Sequence, residues 1–240
     1  MPGQPTQLIR HETVAEGTMR FHFMKPAGFD FTPGQFIELA LINPPETDAE
    51  GNSRAFSLVS APSEPELSIT TRMRDTAFKR VLKKLQPGAK LLVDGPMGDF
   101  ILHRNGTKPA VFLAGGIGIT PFHSIIKNAV EKNLPHKLVL FYSNRRPEDT
   151  AFLSELQSIA AKNKNFQLVP TMTEMEKSSQ PWNGEKGFID AAMLKRHVPS
   201  LDGPIFYIAG PPAMVTAMRS MLEKAQVDPD AIRSEEFGGY

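Results

Sequence analysis

The chain has 240 residues, 40% of them hydrophobic and 22% charged, with a formal net charge of +1 at neutral pH; these are the figures of a globular protein without a global field to gather nucleic acid. It contains no cysteine, which excludes a thiolate iron–sulfur cluster, a cysteine nucleophile, a disulfide framework and a thiolate zinc site within this sequence. The six histidines (His11, His22, His103, His123, His136 and His197) form no HxxxH or HxH pair, so no metal site is expected.

The opening residues MPGQPTQLIR lack the basic and then apolar layout of a secretion signal. No apolar run approaches the roughly 20 residues a bilayer span needs, and a cytoplasmic protein is expected. Up to about residue 104 the hydrophobic period is two: in TMRFHFM, Met19, Phe21 and Phe23 alternate with Arg20 and His22, and QFIELALI and LSITTRM behave similarly. PG, NPPETDAEGN and SAPSEPE punctuate these runs as turns and loops. The pattern predicts a small antiparallel six-stranded barrel over residues 1–104. One helical segment interrupts it, TAFKRVLKKL, with Phe78, Val81, Leu82 and Leu85 on an apolar stripe and the lysines facing water.

From about Pro109 the period changes. PAVFLA, KLVLFYS, FQLVPTM and PIFYIAG read as strands; PFHSIIKNAVEK, DTAFLSELQSIAAK, AAMLKRHV and PAMVTAMRSMLEKA read as helices. Strands alternating with helices predict a parallel α/β sheet over residues 105–240, whose ligands lie at the carboxyl ends of the strands. Both glycine-bearing strand exits, AGGIGITP and AGPPAM, fall on that edge. In the first, Gly116, Gly118 and Pro121 form GxGxxP, where glycine allows a tight turn and close ligand approach and proline opens the helix whose amides attract an anion. Met214, Met218 and Met221 recur at helical spacing as a core stripe. NPPETDAEGNS and EMEKSSQPWNGEKG read as surface loops, and Trp182 in the latter receives no role.

Six motifs stand in one order along the chain: PGQ (Pro33 to Gln35), RAFS (Arg54 to Ser57), GPMG (Gly95 to Gly98), GxGxxP, AGPPAM (Ala209 to Met214) and the aromatic tail SEEFGGY. Together they resemble the ferredoxin-NADP reductase-like family of flavin-dependent reductases. The resemblance implies a flavin-binding barrel at 1–104, a nicotinamide-nucleotide domain at 105–240, and FAD rather than FMN as cofactor. It implies that Arg54 sets a bidentate cation against a flavin phosphate, that Ala55, Phe56 and Ser57 lie against the isoalloxazine with the Ser57 hydroxyl near the reactive N5, and that Ser60, Thr71 and Met73 line the same edge. Relatives carry GxxS/T where this chain has TAFK, so Thr76 and Lys79 stand at the flavin diphosphate.

For the nucleotide, the resemblance implies contacts from Gly115, Gly116, Gly118, Thr120, Pro121, Gly210, Pro211 and Met214. Ala209 stands where many relatives have cysteine. In FYSNRRPED an arginine favours a 2'-phosphate and an acid a 2'-hydroxyl; Ser143, Asn144, Arg145 and Arg146 favour NADPH over NADH, with Glu148 and Asp149 as counterweights. Phe237 would cover the flavin face, with Glu235 as the acid of the ExFG tail and Tyr240 as the alternative lid. Catalytic roles fall to Ser57, Glu235 and Phe237.

The activity implied is hydride transfer from NAD(P)H to bound FAD, then single electrons to an external acceptor. That acceptor is a ferredoxin by resemblance, met by a basic stretch of Arg72, Arg74, Lys79, Arg80, Lys83 and Lys84. A reductase of free flavin, ferric ion or quinone, and a non-catalytic redox-sensing module, are the alternatives.

Overall fold

The computed structural model describes residues 3–238. The first half holds six strands: β1 (Gln4–Ala15), β2 (Thr18–Met24), β3 (Phe36–Leu41), β4 (Ser53–Ser57), β5 (Glu66–Arg72) and β6 (Lys90–Met97). They pair antiparallel in the order β4-β3-β6-β1-β2-β5. The ends of the sheet meet at a Leu58–Ile69 bridge, with the Val59 amide donating to the Ser68 carbonyl at 2.8 Å, which closes the barrel and leaves no long free edge. Leu8, Phe21, Phe23, Ile37, Leu39 and Leu91 fill it. Helix α1 (Ala77–Lys84) plugs one end with Phe78, Val81 and Leu82 buried, as the apolar stripe predicts. Thr76 caps it, its hydroxyl accepting from the Lys79 amide at 3.4 Å.

Strand β2 departs from the alternation. Arg20 and His22, expected to face water, are as buried as the apolar residues between them. His22 lies between Glu66 (2.9 Å) and Glu12 (3.1 Å), while Arg20 bonds Ser68 and stacks 5.6 Å over the Phe152 ring of the second half. The polar face of this strand is a domain seam, and a period-two pattern cannot distinguish a seam lined by ion pairs from solvent.

The second half is a parallel sheet in the order β10-β9-β8-β7-β11-β12, made of β7 (Ala110–Gly115), β8 (Leu138–Asn144), β9 (Phe166–Met172), β10 (Glu185–Lys186), β11 (Ile205–Gly210) and β12 (Ile232–Glu236). Helices α2 (Ile119–Glu131), α3 (Leu153–Lys162), α4 (Ala191–His197) and α5 (Pro212–Lys224) cover it. Two cores sit on its faces, one around Phe112, Phe122 and Tyr142 and one around Val111, Phe141 and Phe206.

Three local readings change. The loop read at EMEKSSQPWNGEKG contains β10, paired with Thr171 and Met172, and Trp182 anchors it by donating to the Glu185 carbonyl. The tail IRSEE, whose one apolar residue is Ile232, forms β12 against β11. The helix read from Asp149 begins at Leu153, because a short 3-10 turn at 147–149 and a left-handed Phe152 (φ 61°) separate it from the preceding strand.

Candidate active site

The two halves leave two clefts that share one wall. The first, about 440 Å³, is lined by the predicted Arg54, Ala55, Phe56, Ser57 and Thr71. Thr76, Lys79, Thr120 and Phe237 complete the predicted set in it. The second, about 580 Å³, is lined by the predicted Gly115, Gly116, Ser143 and Arg145 on the sheet edge, with Pro211 and Met214 opposite. Arg72 stands in both linings.

Six predicted site residues lie elsewhere. Ser60 is fully buried in the seam, its hydroxyl accepting from the Ser68 amide and its carbonyl from the Ser124 hydroxyl at 2.6 Å. Gly118 is a packing glycine: a Cβ there would stand 2.1 Å from the Ala209 carbonyl oxygen, so the requirement is set by the neighbouring strand exit. Pro121 is the third residue of α2, since a 3-10 turn at 116–118 precedes the helix, and there its missing N–H is still one of the unpaired first-turn donors. Gly210 accepts the Phe237 amide at 3.0 Å, and Glu235 lies behind the cleft. Met73 lines the second cleft, because its amide bonds the Gly17 carbonyl and draws the chain past the end of β5. Tyr240 lies outside the described residues.

Arg54 reaches the first cleft but its guanidinium is bound by a loop. It bonds Asp48, pairs with Glu50 at 2.9 Å, and donates to the carbonyls of Glu50, Gly51 and Ser53. The NPPETDAEGN loop therefore holds this arginine in place. Phe56 packs on Phe78 with ring centroids 5.8 Å apart and lines the cleft. The Lys79 ammonium donates to the Arg72 carbonyl at 2.8 Å; burial, then Arg74 and Arg54, pull it below the ordinary lysine range. An anion in the cleft would relieve all three effects.

In the second cleft Asp149, its side chain 2% exposed, gathers Arg146 at 2.9 Å, Arg72 at 3.5 Å and Arg145 at 3.8 Å. Burial works to raise its carboxyl, and the arginines overcome that and hold it below the usual range. Arg146 is fully engaged, because its other nitrogen meets Glu16 of the barrel at 2.9 Å. Arg145, with half its side chain exposed, and Arg74, exposed on the same cleft wall, are open to a ligand. Glu148 turns away to Ser178 and Ser179. Phe188, 80% exposed, stands at the rim.

Glu235 is unlike the other carboxylates. Burial and the nearby Asp99 raise it to about 7, and its Oε2 is buried without a hydrogen-bond partner. Phe237, two residues on, brings its ring over the first cleft because β12 continues the sheet and the Phe237 amide is tied to Gly210.

Sequence reasoning missed Thr70 and Phe188, and it gave Arg72 and Arg74 only to a basic docking stretch although both line the second cleft. Thr70 lies on β5 beside the predicted Thr71. Asn144, read with Ser143, Arg145 and Arg146, lines the second cleft as expected. Phe188 follows a loop read as featureless, and a lone aromatic beside glycine was its only signal.

The donor sets suit planar, phosphate-bearing ligands. Each cleft contains an orphan polar atom in its wall, Thr70 Oγ1 in the first and Asn144 Nδ2 in the second. The first cleft combines aromatic faces with Arg54, Lys79 and the capped start of α1. The second places Arg145 beyond a strand–helix turn. Among the described residues no cluster of metal ligands occurs, and no helix is long and apolar enough to cross a membrane.

A β-barrel joined to a parallel α/β sheet, with two clefts meeting at one wall, is the framework of two-domain nicotinamide-nucleotide oxidoreductases. Residues 112–220 match the oxidoreductase NAD-binding domain. Along most of its length the chain is similar to reductase and electron transfer components of oxygenase systems. It is 32% identical over 233 residues to the glycine betaine monooxygenase reductase subunit of Chromohalobacter salexigens, covering 96% of this chain and 62% of that protein. It is 28% identical to the anthranilate 1,2-dioxygenase electron transfer component of Acinetobacter baylyi, covering 94% and 64%. The chain thus spans a little under two thirds of these curated relatives. Among solved structures, the ferredoxin reductase in carbazole 1,9a-dioxygenase superposes with a TM-score of 0.83 at 22% identity, covering 99% of this chain and 69% of that one. A ferredoxin NADP+ reductase from Neisseria gonorrhoeae with bound FAD and NADP gives 0.79 at 22%, covering 97% and 98%.

Proposed function

We propose that the protein is a flavoprotein reductase that binds FAD in the first cleft, takes a hydride from NADPH in the second, and passes electrons to a separate protein acceptor. Bound flavin accepts electrons as a pair and releases them singly, which is the chemistry an iron–sulfur acceptor needs. The observation that carries the reading is the shared wall: two clefts of the right chemistry meet at Arg72, with Ser57 and Thr120 facing the same space from opposite domains.

In this reading Arg54 exchanges part of its contact with Asp48 and Glu50 for a flavin phosphate, while Lys79 and the Thr76-capped start of α1 take the diphosphate. Phe56 and Phe237 bound the ring, and Ser57 offers a hydroxyl to its edge. Phe237 must swing aside to admit the pyridine ring. Glu235, poised near neutral pH, holds a proton beside that movement. Arg145 receives the 2'-phosphate, and Arg146 keeps the turn folded.

The acceptor is proposed as a ferredoxin; the names of the relatives, reductase and electron transfer components of oxygenase systems, support a protein acceptor. The basic stretch contributes less than its sequence implies. Arg80 is tied to Glu46 and Asp75, Lys79 to a carbonyl and Arg72 to Asp149, so Arg74, Lys83 and Lys84 remain exposed for an acidic partner. The setting proposed is the cytoplasm.

The test is purification, identification of the flavin, and anaerobic titration with each nicotinamide. A yellow protein bleached faster by NADPH than by NADH is expected, with rates to ferredoxin above those to quinone or ferric ion. A colourless protein that takes up neither FAD nor FMN overturns the proposal.

A further inference from the structure

Helix α2 starts at the strand exit that carries Gly116 and ends against the barrel, and at its second turn it bears His123, which is 0% exposed. The Nδ1 of His123 lies 2.9 Å from the carbonyl of Val59, a barrel residue. Its Nε2 lies 3.1 Å from the Glu155 carboxylate on α3. The Val59 carbonyl only accepts, so Nδ1 carries the hydrogen of that bond, while Nε2 lies close to Glu155 without an aligned hydrogen bond. One residue on, Ser124 donates to the Ser60 carbonyl at 2.6 Å.

The charges around the ring form a chain across the seam. Lys127 of α2 pairs with Glu64 of the barrel at 2.7 Å and with Glu155 at 3.8 Å. Glu64 meets Arg20 of β2 at 3.8 Å, and its other oxygen accepts the Ala61 amide at 2.7 Å. Phe152 is sandwiched, with the His123 ring 4.3 Å away and Arg20 over its face. Burial pushes Glu155 up, but His123, Lys127 and Arg20 together hold it at about 2.

The segments joined here are those that line the clefts. Val59 follows Ser57 by two residues, and His123 follows Thr120 by three, about one helical turn. The clamp therefore sits one step behind the two side chains that face each other across the first cleft. His123 lines neither cleft, so any effect on chemistry must act through placement.

We infer that His123 is a positioning residue: its ring, held between the Val59 carbonyl and Glu155, fixes the barrel segment that follows Ser57 against the nucleotide helix α2 and so sets the approach of the two rings. This inference rests on the proposed flavin and NADPH sites. Misplacement of reacting groups by about 1 Å costs on the order of 100-fold in rate, so a looser clamp should slow hydride transfer while leaving each cleft able to bind.

The test uses H123Q, which keeps one donor, and H123A, which removes both contacts. In H123Q, hydrogen exchange of segments 58–64 and 120–127 should quicken while that of β3 stays as in the parent protein. Bleaching of the flavin-loaded protein by NADPH should slow by about tenfold or more, with bleaching by dithionite, which needs no alignment, unchanged. H123A should lose at least as much as H123Q. Unchanged exchange and unchanged NADPH rate overturn the inference, and so does a parallel fall in both rates, the mark of a merely structural role. Should the variants fail to fold, the nitrogen-15 spectrum of the parent ring decides: a hydrogen on Nδ1, donated to the Val59 carbonyl, supports the clamp, and a bare Nδ1 overturns it. A parent protein that holds no flavin defeats the proposed function, whereas the exchange and ring spectra still judge the seam.

Discussion

The most quantitative consequence concerns Glu235. In the folded protein burial and Asp99 lift it from the ordinary 4.5 to about 7; in the unfolded chain nothing does. Between those two values the folded state keeps a proton that the unfolded chain has released, so this residue makes stability fall as pH rises through the window. A shift of about 2.5 units at roughly 1.4 kcal/mol each sets a ceiling of about 3 kcal/mol, reached above about pH 7. Glu235→Gln removes the ionisable group and keeps the shape. Urea denaturation should find the variant more stable than the parent by up to about 3 kcal/mol near pH 8, with the difference fading towards pH 4. A difference that does not change with pH, or a variant weaker at pH 8, would refute the reasoning, because either result means the carboxylate ionises without cost.

Three further outcomes follow from named contacts. Arg54→Ala should weaken flavin retention by the roughly 1.5 to 3 kcal/mol of a charged hydrogen bond, measured by equilibrium dialysis; full occupancy after dialysis would remove Arg54 from the site. Arg145→Ala should raise the KM for NADPH more than that for NADH, whereas Arg146→Ala, which strips Asp149 of its nearest partner, should lower the melting temperature; steady-state kinetics and calorimetry separate the two. Gly118→Ala sets a Cβ 2.1 Å from the Ala209 oxygen, so it should destabilise by at least the 1 to 3 kcal/mol or so of an overpacked core, visible as a lost or lowered thermal transition.

How much could be read from sequence depended on whether the signal was local. The barrel, the parallel sheet, the stripe on α1 and the strand exits are written in periodicity and glycine placement, and the structure contains them. Strand β12 was invisible because Ile232 is its one apolar residue; it is held by backbone pairing to β11. The polar face of β2 looked solvated because its partners, Phe152 and Glu64, lie far along the chain. At the site, residue identities pointed to phosphate and ring binding, but their commitments were out of reach. That Arg54 is bound by its own loop, that Arg146 rather than Arg145 is spent on Asp149, and that Ser60 belongs to the seam are all long-range facts.

The Arg72 residue is a common partition. Its carbonyl holds Lys79 in one cleft and its guanidinium faces Asp149 in the other. Redesigning coenzyme preference and redesigning prosthetic-group affinity are therefore one engineering problem: a change on either side of this residue is transmitted to the other, and paired substitutions across it should combine non-additively.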